Sequence, residues 1–129
     1  MRRALQIAMA ILSIAPLGFG LGNMIAGAGG LMPNWPITPD LDSQFRYQSG
    51  VYICITALLW WMIPRIEQVG WPFRAVALGL FVGGIGRLIS IQEFGVPSAP
   101  MYYGMMLELS MPIFVAWQYL VEKAANTGE

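Results

Sequence analysis

The sequence predicts an all-α membrane protein, an antiparallel bundle of four transmembrane helices with both termini in the cytoplasm. Three observations predict this class: a low charged fraction, four apolar runs of membrane-spanning length, and basic residues confined to one set of their ends. Hydrophobic residues make up 57% of the 129 residues and charged residues 11%, whereas soluble domains carry about 25% charged residues. The basic and acidic side chains cancel, seven against seven, so net charge gives no argument for nucleic acid as a partner.

Four segments are apolar over the length needed to cross a bilayer, which is roughly 20 helical residues for about 30 Å of hydrocarbon. They cover residues 4–28, 44–63, 75–91 and 101–121. A cap at Asp42 or Ser43 is expected to start the second helix. No internal repeat and no linker divides the chain, so residues 1–129 are predicted to form one transmembrane domain.

The orientation follows from the basic residues. The loops 31–42 and 93–100 contain no lysine or arginine, whereas the opposite ends of the spans carry Arg2, Arg3, Arg65, Arg74 and Lys123. Because cytoplasmic ends are enriched in basic residues, both termini are predicted to be cytoplasmic. An alternative is a cleaved signal peptide ending near Ala26-Gly27-Ala28, which would leave three spans. The first apolar run is longer than the usual 7–15 residues of such a peptide, which argues against cleavage.

Small residues and prolines predict how the helices pack and bend. Glycines four residues apart share a helix face and permit close helix contact, which predicts contact faces at Gly18 with Gly22 and at Gly79 with Gly83. Proline removes one helical hydrogen bond, so bends are expected at Pro16 in the first span and Pro112 in the fourth.

Two charged residues lie deep inside predicted spans, whereas Arg46 lies near the end of its span. Arg87 shares a helix face with Gly79 and Gly83, and it lies about 8 Å from the non-cytoplasmic end of its span at 1.5 Å per residue. Glu108 lies about 10 Å deep in the fourth span by the same count. A lone charge at such depth costs about 2.5–3.5 kcal/mol on insertion scales. The sequence therefore predicts an ion pair between Arg87 and Glu108.

Further polar residues are predicted to fall in the same layer: Asn23, Arg46, Tyr47, Gln48, Ser90 and Gln92. One interpretation is a pocket in the periplasmic half that binds a small amphipathic molecule through Asn23, Arg46, Tyr47, Arg87 and Ser90. Two arginines against one deep carboxylate would leave a positive excess there for a carboxylate, phosphate or polarised carbonyl. Glu108 would be the catalytic proton carrier in any metal-free acid–base reaction. The other interpretation is structural, with Arg46 reaching the interface and Arg87 clamped to Glu108.

These residues resemble the pattern of a small bacterial inner-membrane family of unknown function, built from four predicted helices. The resemblance covers most of the chain after the first helix. It rests on Pro39-Asp40, Arg46-Tyr47 with Gly50, Gly83-Gly84-Ile85-Gly86-Arg87-Leu88-Ile89-Ser90, Gly95-Val96-Pro97, and Leu107-Glu108-Leu109 with Pro112. Tyr47 stands where phenylalanine is commoner. The resemblance implies the four-helix architecture and an inner-membrane location, and it singles out Arg46, Arg87 and Glu108 without assigning a reaction.

Several classes of protein function are not expected, because the sequence lacks the residues that they require. The chain has no histidine, one cysteine and no helical pair of carboxylates, so no metal or haem site and no cofactor is expected. The glycine-rich stretches lack the lysine of a phosphate-binding loop, and no histidine can activate Ser90 or Ser110. The lipid bilayer is the expected partner, together with the amphipathic ligand. A second hypothesis is an accessory or assembly subunit that docks a copy of itself or another membrane protein, and a third, less favoured, is an oligomeric transporter.

Overall fold

The computed structural model of the protein describes residues 1–128, which form helices and turns with no β-strand. Six α-helices follow one another along the chain, with short 3₁₀ turns at Ala28–Gly30 and Ile63–Arg65. The helices are α1 (Arg2–Leu12), α2 (Ile14–Ala26), α3 (Pro39–Met62), α4 (Gly70–Phe94), α5 (Ala99–Leu109) and α6 (Met111–Thr127). The all-helical class predicted from the sequence is confirmed for these residues.

Three stretches within residues 1–128 are helical, long and apolar enough to cross a membrane: Arg2–Ala26, Gly70–Phe94 and Ala99–Thr127. The helix that contains the second predicted span, α3, is not among them. It begins at Pro39, and its first turns carry Asp40, Asp42 and Arg46, which lower its mean hydropathy. The membrane crossing of residues 44–63 therefore stays a prediction.

The start of α3 differs from the expected one. Thr38 is its N-cap, and the Oγ1 atom of Thr38 accepts a hydrogen bond from the backbone N–H of Leu41 at 3.2 Å. Pro39 follows in the first helical turn, where a missing N–H costs nothing. The prediction of a cap at Asp42 or Ser43 was wrong, because the Thr-Pro pair starts the helix four residues earlier.

The helices form two compact units. The first unit contains residues 7–64, and the second contains residues 1–6 with the described chain from residue 65 onward. In the first unit, Trp60 contacts Ser13 and Arg46 contacts Met24. The helix α3 therefore runs antiparallel to the helical stretch from Ser13 to Met24. In the second unit, Arg87 contacts Met101 and Arg74 contacts Gln118, which makes α4 antiparallel to α5 and α6.

Close helix contact occurs at glycines other than those predicted. A Cβ atom on Gly20 would lie 2.9 Å from Cγ1 of Ile53 and 3.2 Å from the carbonyl oxygen of Ser49. A Cβ on Gly84 would lie 3.1 Å from atoms of Glu108 and Leu109. The predicted contact faces were wrong, because added Cβ atoms at three of their glycines would meet nothing within 4 Å: Gly18, Gly22 and Gly79. At the fourth, Gly83, the nearest atom would be 4.0 Å away. Many spacings fit a small-residue pattern, and only packing selects among them.

Both spans that contain a proline are interrupted near it, and the bends expected at Pro16 and Pro112 stay predictions. Span one breaks at Ser13, between α1 and α2, and span four breaks at Ser110, between α5 and α6. Each break lies within three residues before its proline, Pro16 or Pro112. The two serine hydroxyls donate hydrogen bonds of 2.7 Å to carbonyls three residues earlier, which satisfies backbone acceptors where the helical pattern fails.

Candidate functional site

The predicted ion pair between Arg87 and Glu108 is confirmed and joins α4 to α5. The Nε atom of Arg87 lies 2.9 Å from Oε2 of Glu108, and the two side chains are 26% and 12% exposed. The Nη1 atom of Arg87 donates to the carbonyl oxygen of Met101 at 3.3 Å and lies equally far from the Met101 sulfur. The guanidinium therefore turns toward α5, and the carboxylate charge is met by an arginine in the same unit.

Glycines border this pair on both helices. A Cβ on Gly83 would lie 4.0 Å from Oε2 of Glu108, and a Cβ on Gly104 would lie 4.0 Å from Nη1 of Arg87. Larger residues at these two positions would add side-chain atoms beside the charged groups. The pair is thus partly exposed and flanked by positions that carry no side chain.

Arg46 is held within the first unit. Its Nε atom donates to Oδ2 of Asp42 at 2.8 Å, and its Nη1 atom donates to the carbonyl oxygen of Met24 at 2.6 Å. Met24 lies in the last turn of α2, where helical carbonyls lack backbone partners. Oδ1 of Asp42 accepts the N–H of Ala28 at 3.0 Å. Asp42 and Arg46 together therefore fasten the end of α2 to the start of α3.

The backbone of this connection requires glycine at position 27. Gly27 has a φ of +62°, a conformation that other residues rarely adopt, and a Cβ there would collide with the carboxylate of Asp42. The Arg46 guanidinium, followed by the Ala28 N–H, holds the pKa of Asp42 below its usual range. The carboxylate is therefore the form that the connection between α2 and α3 stabilises.

This arrangement corrects the predicted charge balance. We expected two arginines against one carboxylate, but Arg46 pairs with Asp42 at 2.8 Å and Arg87 pairs with Glu108 at 2.9 Å. The sequence predicts only a capping role for Asp42. Its position four residues before Arg46 on a helix is the spacing of a side-chain ion pair, so the sequence did contain the signal.

The remaining predicted site residues differ in burial. The Asn23 side chain is buried at 9% exposure, whereas Tyr47 is 69% exposed and Ser90 is exposed as well. Asn23, Arg46 and Tyr47 belong to the first unit, whereas Arg87, Ser90 and Glu108 belong to the second. The role of these residues in one common polar layer stays a prediction.

A second polar cluster of the second unit was not predicted. Gln118 of α6 is fully buried, donates to the carbonyl oxygen of Ile66 at 3.1 Å and lies 3.3 Å from Glu122. The Nη2 atom of Arg74 is 2.5 Å from Oε2 of Glu122, and the Arg74 guanidinium lies 5.7 Å from the centre of the Tyr119 ring. In the sequence, this cluster is indicated by Gln118 and Glu122, which lie one helical turn apart near the basic end of the fourth span.

Comparison with known protein families gives a match that covers most of the chain. A family model described as a domain of unknown function, DUF4345, matches residues 4–119. The chain belongs to this family. The match confirms the expected relation to a family of unknown function and includes both helix interruptions of this DUF4345 protein, at Ser13 and Ser110. The specific motifs quoted for the resemblance stay predictions. No curated protein and no solved structure matches the chain.

Proposed function

We propose that this DUF4345 protein is a multi-pass protein of the bacterial inner membrane that binds a small amphipathic molecule. In this proposal, residues 44–63 form the fourth spanning segment of an antiparallel bundle, and both termini are cytoplasmic. Three apolar helical stretches of spanning length support a membrane location. The basic residues at one set of helix ends support the orientation.

The observation that carries ligand binding is the Arg87–Glu108 pair between Gly83 and Gly104. A guanidinium and a carboxylate within an apolar hairpin are costly unless they are paired, and here they are paired at 2.9 Å. The bordering residues are glycines, and a Cβ atom added at either one would lie 4.0 Å from the nearest charged atom. Positions 83 and 104 therefore place no side chain beside the charged groups, and this supports the proposal that a small polar group binds there.

The proposed ligand has an anionic or strongly polarised head and an apolar tail. Arg87 would bind a carboxylate, a phosphate or a carbonyl oxygen, because guanidinium forms short, charge-assisted hydrogen bonds with such acceptors. Ser90 lies nearly one turn further along α4 and would add a hydroxyl. Glu108 would carry the proton in a metal-free reaction such as isomerisation or ring opening, while Arg87 stabilises the developing negative charge.

A thermal-shift experiment tests the binding step. The purified protein in mild detergent would be heated with octanoate, and octanol of equal chain length would serve as the uncharged control. We expect octanoate to raise the melting temperature more than octanol does, because only octanoate offers the Arg87 guanidinium a negatively charged acceptor. The Arg87→Gln variant should lose this shift, and a control variant with the exposed Ile113 replaced by Leu should keep it. An equal shift in Arg87→Gln contradicts the proposal.

A second candidate function is an accessory subunit in which the pair only clamps two helices. The contacts of Arg87 with both Glu108 and Met101, all within one hairpin, favour this alternative. The exposed apolar side of α4, where Leu78 and Val82 are 63% and 57% exposed, also favours an accessory subunit. Octanoate separates the two: a rise in the melting temperature of the wild type that Arg87→Gln lacks supports the pocket, whereas no rise in the wild type supports the clamp.

A further inference from the structure

An open groove of about 760 Å³ runs between α4 and α6, away from the Arg87–Glu108 pair. Its volume falls within the range of about 300–1,000 Å³ that is typical of ligand sites. The walls are apolar and include Leu78 and Phe81 from α4 and Pro112 and Val115 from α6. Small residues, Ala75 and Ala116, keep the space between the helices open.

The length of the groove matches one leaflet of a bilayer. On α4 it extends from Trp71 to Phe81, which is about 15 Å at 1.5 Å per residue. The hydrocarbon core of a bilayer is about 30 Å thick, so each leaflet contributes about 15 Å. An extended acyl chain from one leaflet therefore fits along this groove.

One end of the groove is polar and the rest is not. Arg74, Trp71 and Tyr119 lie at that end, and the Arg74 side chain remains 37% exposed beside its partner Glu122. Tryptophan and tyrosine favour the headgroup region of a membrane. The groove thus offers a cation and two amphipathic rings at the depth of the headgroups, and apolar walls below them.

The surrounding charge is positive. Within residues 1–6, 65–74 and 117–128 there are five basic side chains and two acidic ones, Glu67 and Glu122. The opposite half of the same unit, residues 87–110, contains Arg87 against Glu93 and Glu108. Because basic segments near the membrane surface attract anionic lipids, the charge favours an anionic headgroup at the Arg74 end.

We propose that the groove between α4 and α6 binds one acyl chain of an anionic phospholipid, with the headgroup beside Arg74. This site is separate from the one proposed at Arg87, and it uses different residues of the same unit. The lipid would complete the packing between α4 and α6 where alanines leave space. Its headgroup would lie on the cytoplasmic side.

Native mass spectrometry of the purified protein tests this proposal with two added lipids that have identical chains, phosphatidylglycerol and phosphatidylcholine. We expect one phosphatidylglycerol to bind before any phosphatidylcholine. Ala116→Phe should weaken that first binding about tenfold, as expected when about two methylenes lose their burial. The matched control is Ile113→Phe, because Ile113 is 67% exposed and lies outside the groove lining.

Three further variants distinguish binding of the acyl chain from binding of the headgroup. Ala75→Phe fills the groove from the opposite wall and should repeat the effect of Ala116→Phe. Arg74→Gln should remove the preference for phosphatidylglycerol, whereas Arg74→Lys should retain it. The proposal is overturned if both phenylalanine variants of the groove bind phosphatidylglycerol as the wild type does, or if the wild type binds both lipids equally. Octanoate has the same chemistry as an acyl chain with an anionic head, so its effect is assigned to the Arg87 site only when Arg87→Gln loses the shift and Arg74→Gln retains it.

Discussion

Gly84 of α4 faces Glu108 of α5 so closely that a Cβ on Gly84 would lie 3.1 Å from the Cβ of Glu108. This approach places the carboxylate within reach of Arg87, one turn further along α4. The glycine therefore controls both helix packing and the ion pair. Arg87 and Glu108 can meet at 2.9 Å because nothing at position 84 separates the helices.

Enlarging Gly84 is expected to destabilise the second unit. Gly84→Val should lower the free energy of unfolding by about 1–3 kcal/mol, which is typical of overpacking. The measurement is thermal denaturation in mild detergent. Gly86→Val is the matched control, because a Cβ at Gly86 would meet nothing within 4 Å. Equal destabilisation by both variants would show that the close contact with Glu108 does not determine the effect.

Removal of one partner of the ion pair should cost more than removal of both. Glu108→Ala leaves the Arg87 guanidinium, only 26% exposed, without its carboxylate. We expect a loss of about 3 kcal/mol, the lower end of the range for broken buried pairs. The double variant Arg87→Met with Glu108→Met should be close to the wild type, because two paired charges are replaced by apolar groups. A double-mutant cycle of unfolding free energies checks this, and strictly additive losses would contradict it.

The connection between α2 and α3 should be sensitive to acid. The folded pKa of Asp42 lies below its usual range, mainly because Arg46 donates to it. Its carboxylate therefore stabilises the connection above the ordinary aspartate pKa of about 3.9. That contribution is lost as the pH falls through the lower, folded pKa. Hydrogen exchange at the Ala28 amide would be measured from pH 5 to pH 2.5 in steps of about 0.5 pH units. The protection of this amide should fall as the pH decreases through this range.

Asp42→Asn provides the control for the acid response. Asparagine cannot titrate, so this variant should show weaker protection of Ala28 throughout and no additional loss in acid. If the wild type and Asp42→Asn respond identically to pH, Asp42 is not the titrating group. Gly27→Ala should also open this connection, because its Cβ would meet the carboxylate of Asp42.

Gln118 is expected to stabilise the basic end of the second unit. Its side chain is fully buried and donates to the carbonyl oxygen of Ile66 at 3.1 Å. Gln118→Leu leaves that carbonyl without this donor and should cost about 1–3 kcal/mol. The measurement is again thermal denaturation. Thr127→Val removes an exposed hydroxyl bonded within its own helix and should have little effect, so equal losses would contradict the role of Gln118.

The sequence determined the helical class and indicated the spans whose helical hydrogen bonding is disturbed. Helix formation in apolar segments follows from local composition, and proline removes a hydrogen bond wherever it stands. The sequence also indicated the pairing of Arg87 with Glu108, because two charges in apolar spans have few ways to reduce their cost. These inferences depend on properties of single segments, and residues 1–128 confirm them.

Only the tertiary structure decided which glycines lie at helix contacts and which groups Arg46 binds. Gly20 and Gly84 make the close contacts that the spacing assigned to Gly18, Gly22, Gly79 and Gly83. Arg46 proved to bind Asp42 and the end of α2 rather than to add an uncompensated charge. Any regular spacing defines several faces of a helix, and only the rotation of one helix against another selects the face in contact. That rotation is set by the packing of many side chains together, which no single segment encodes.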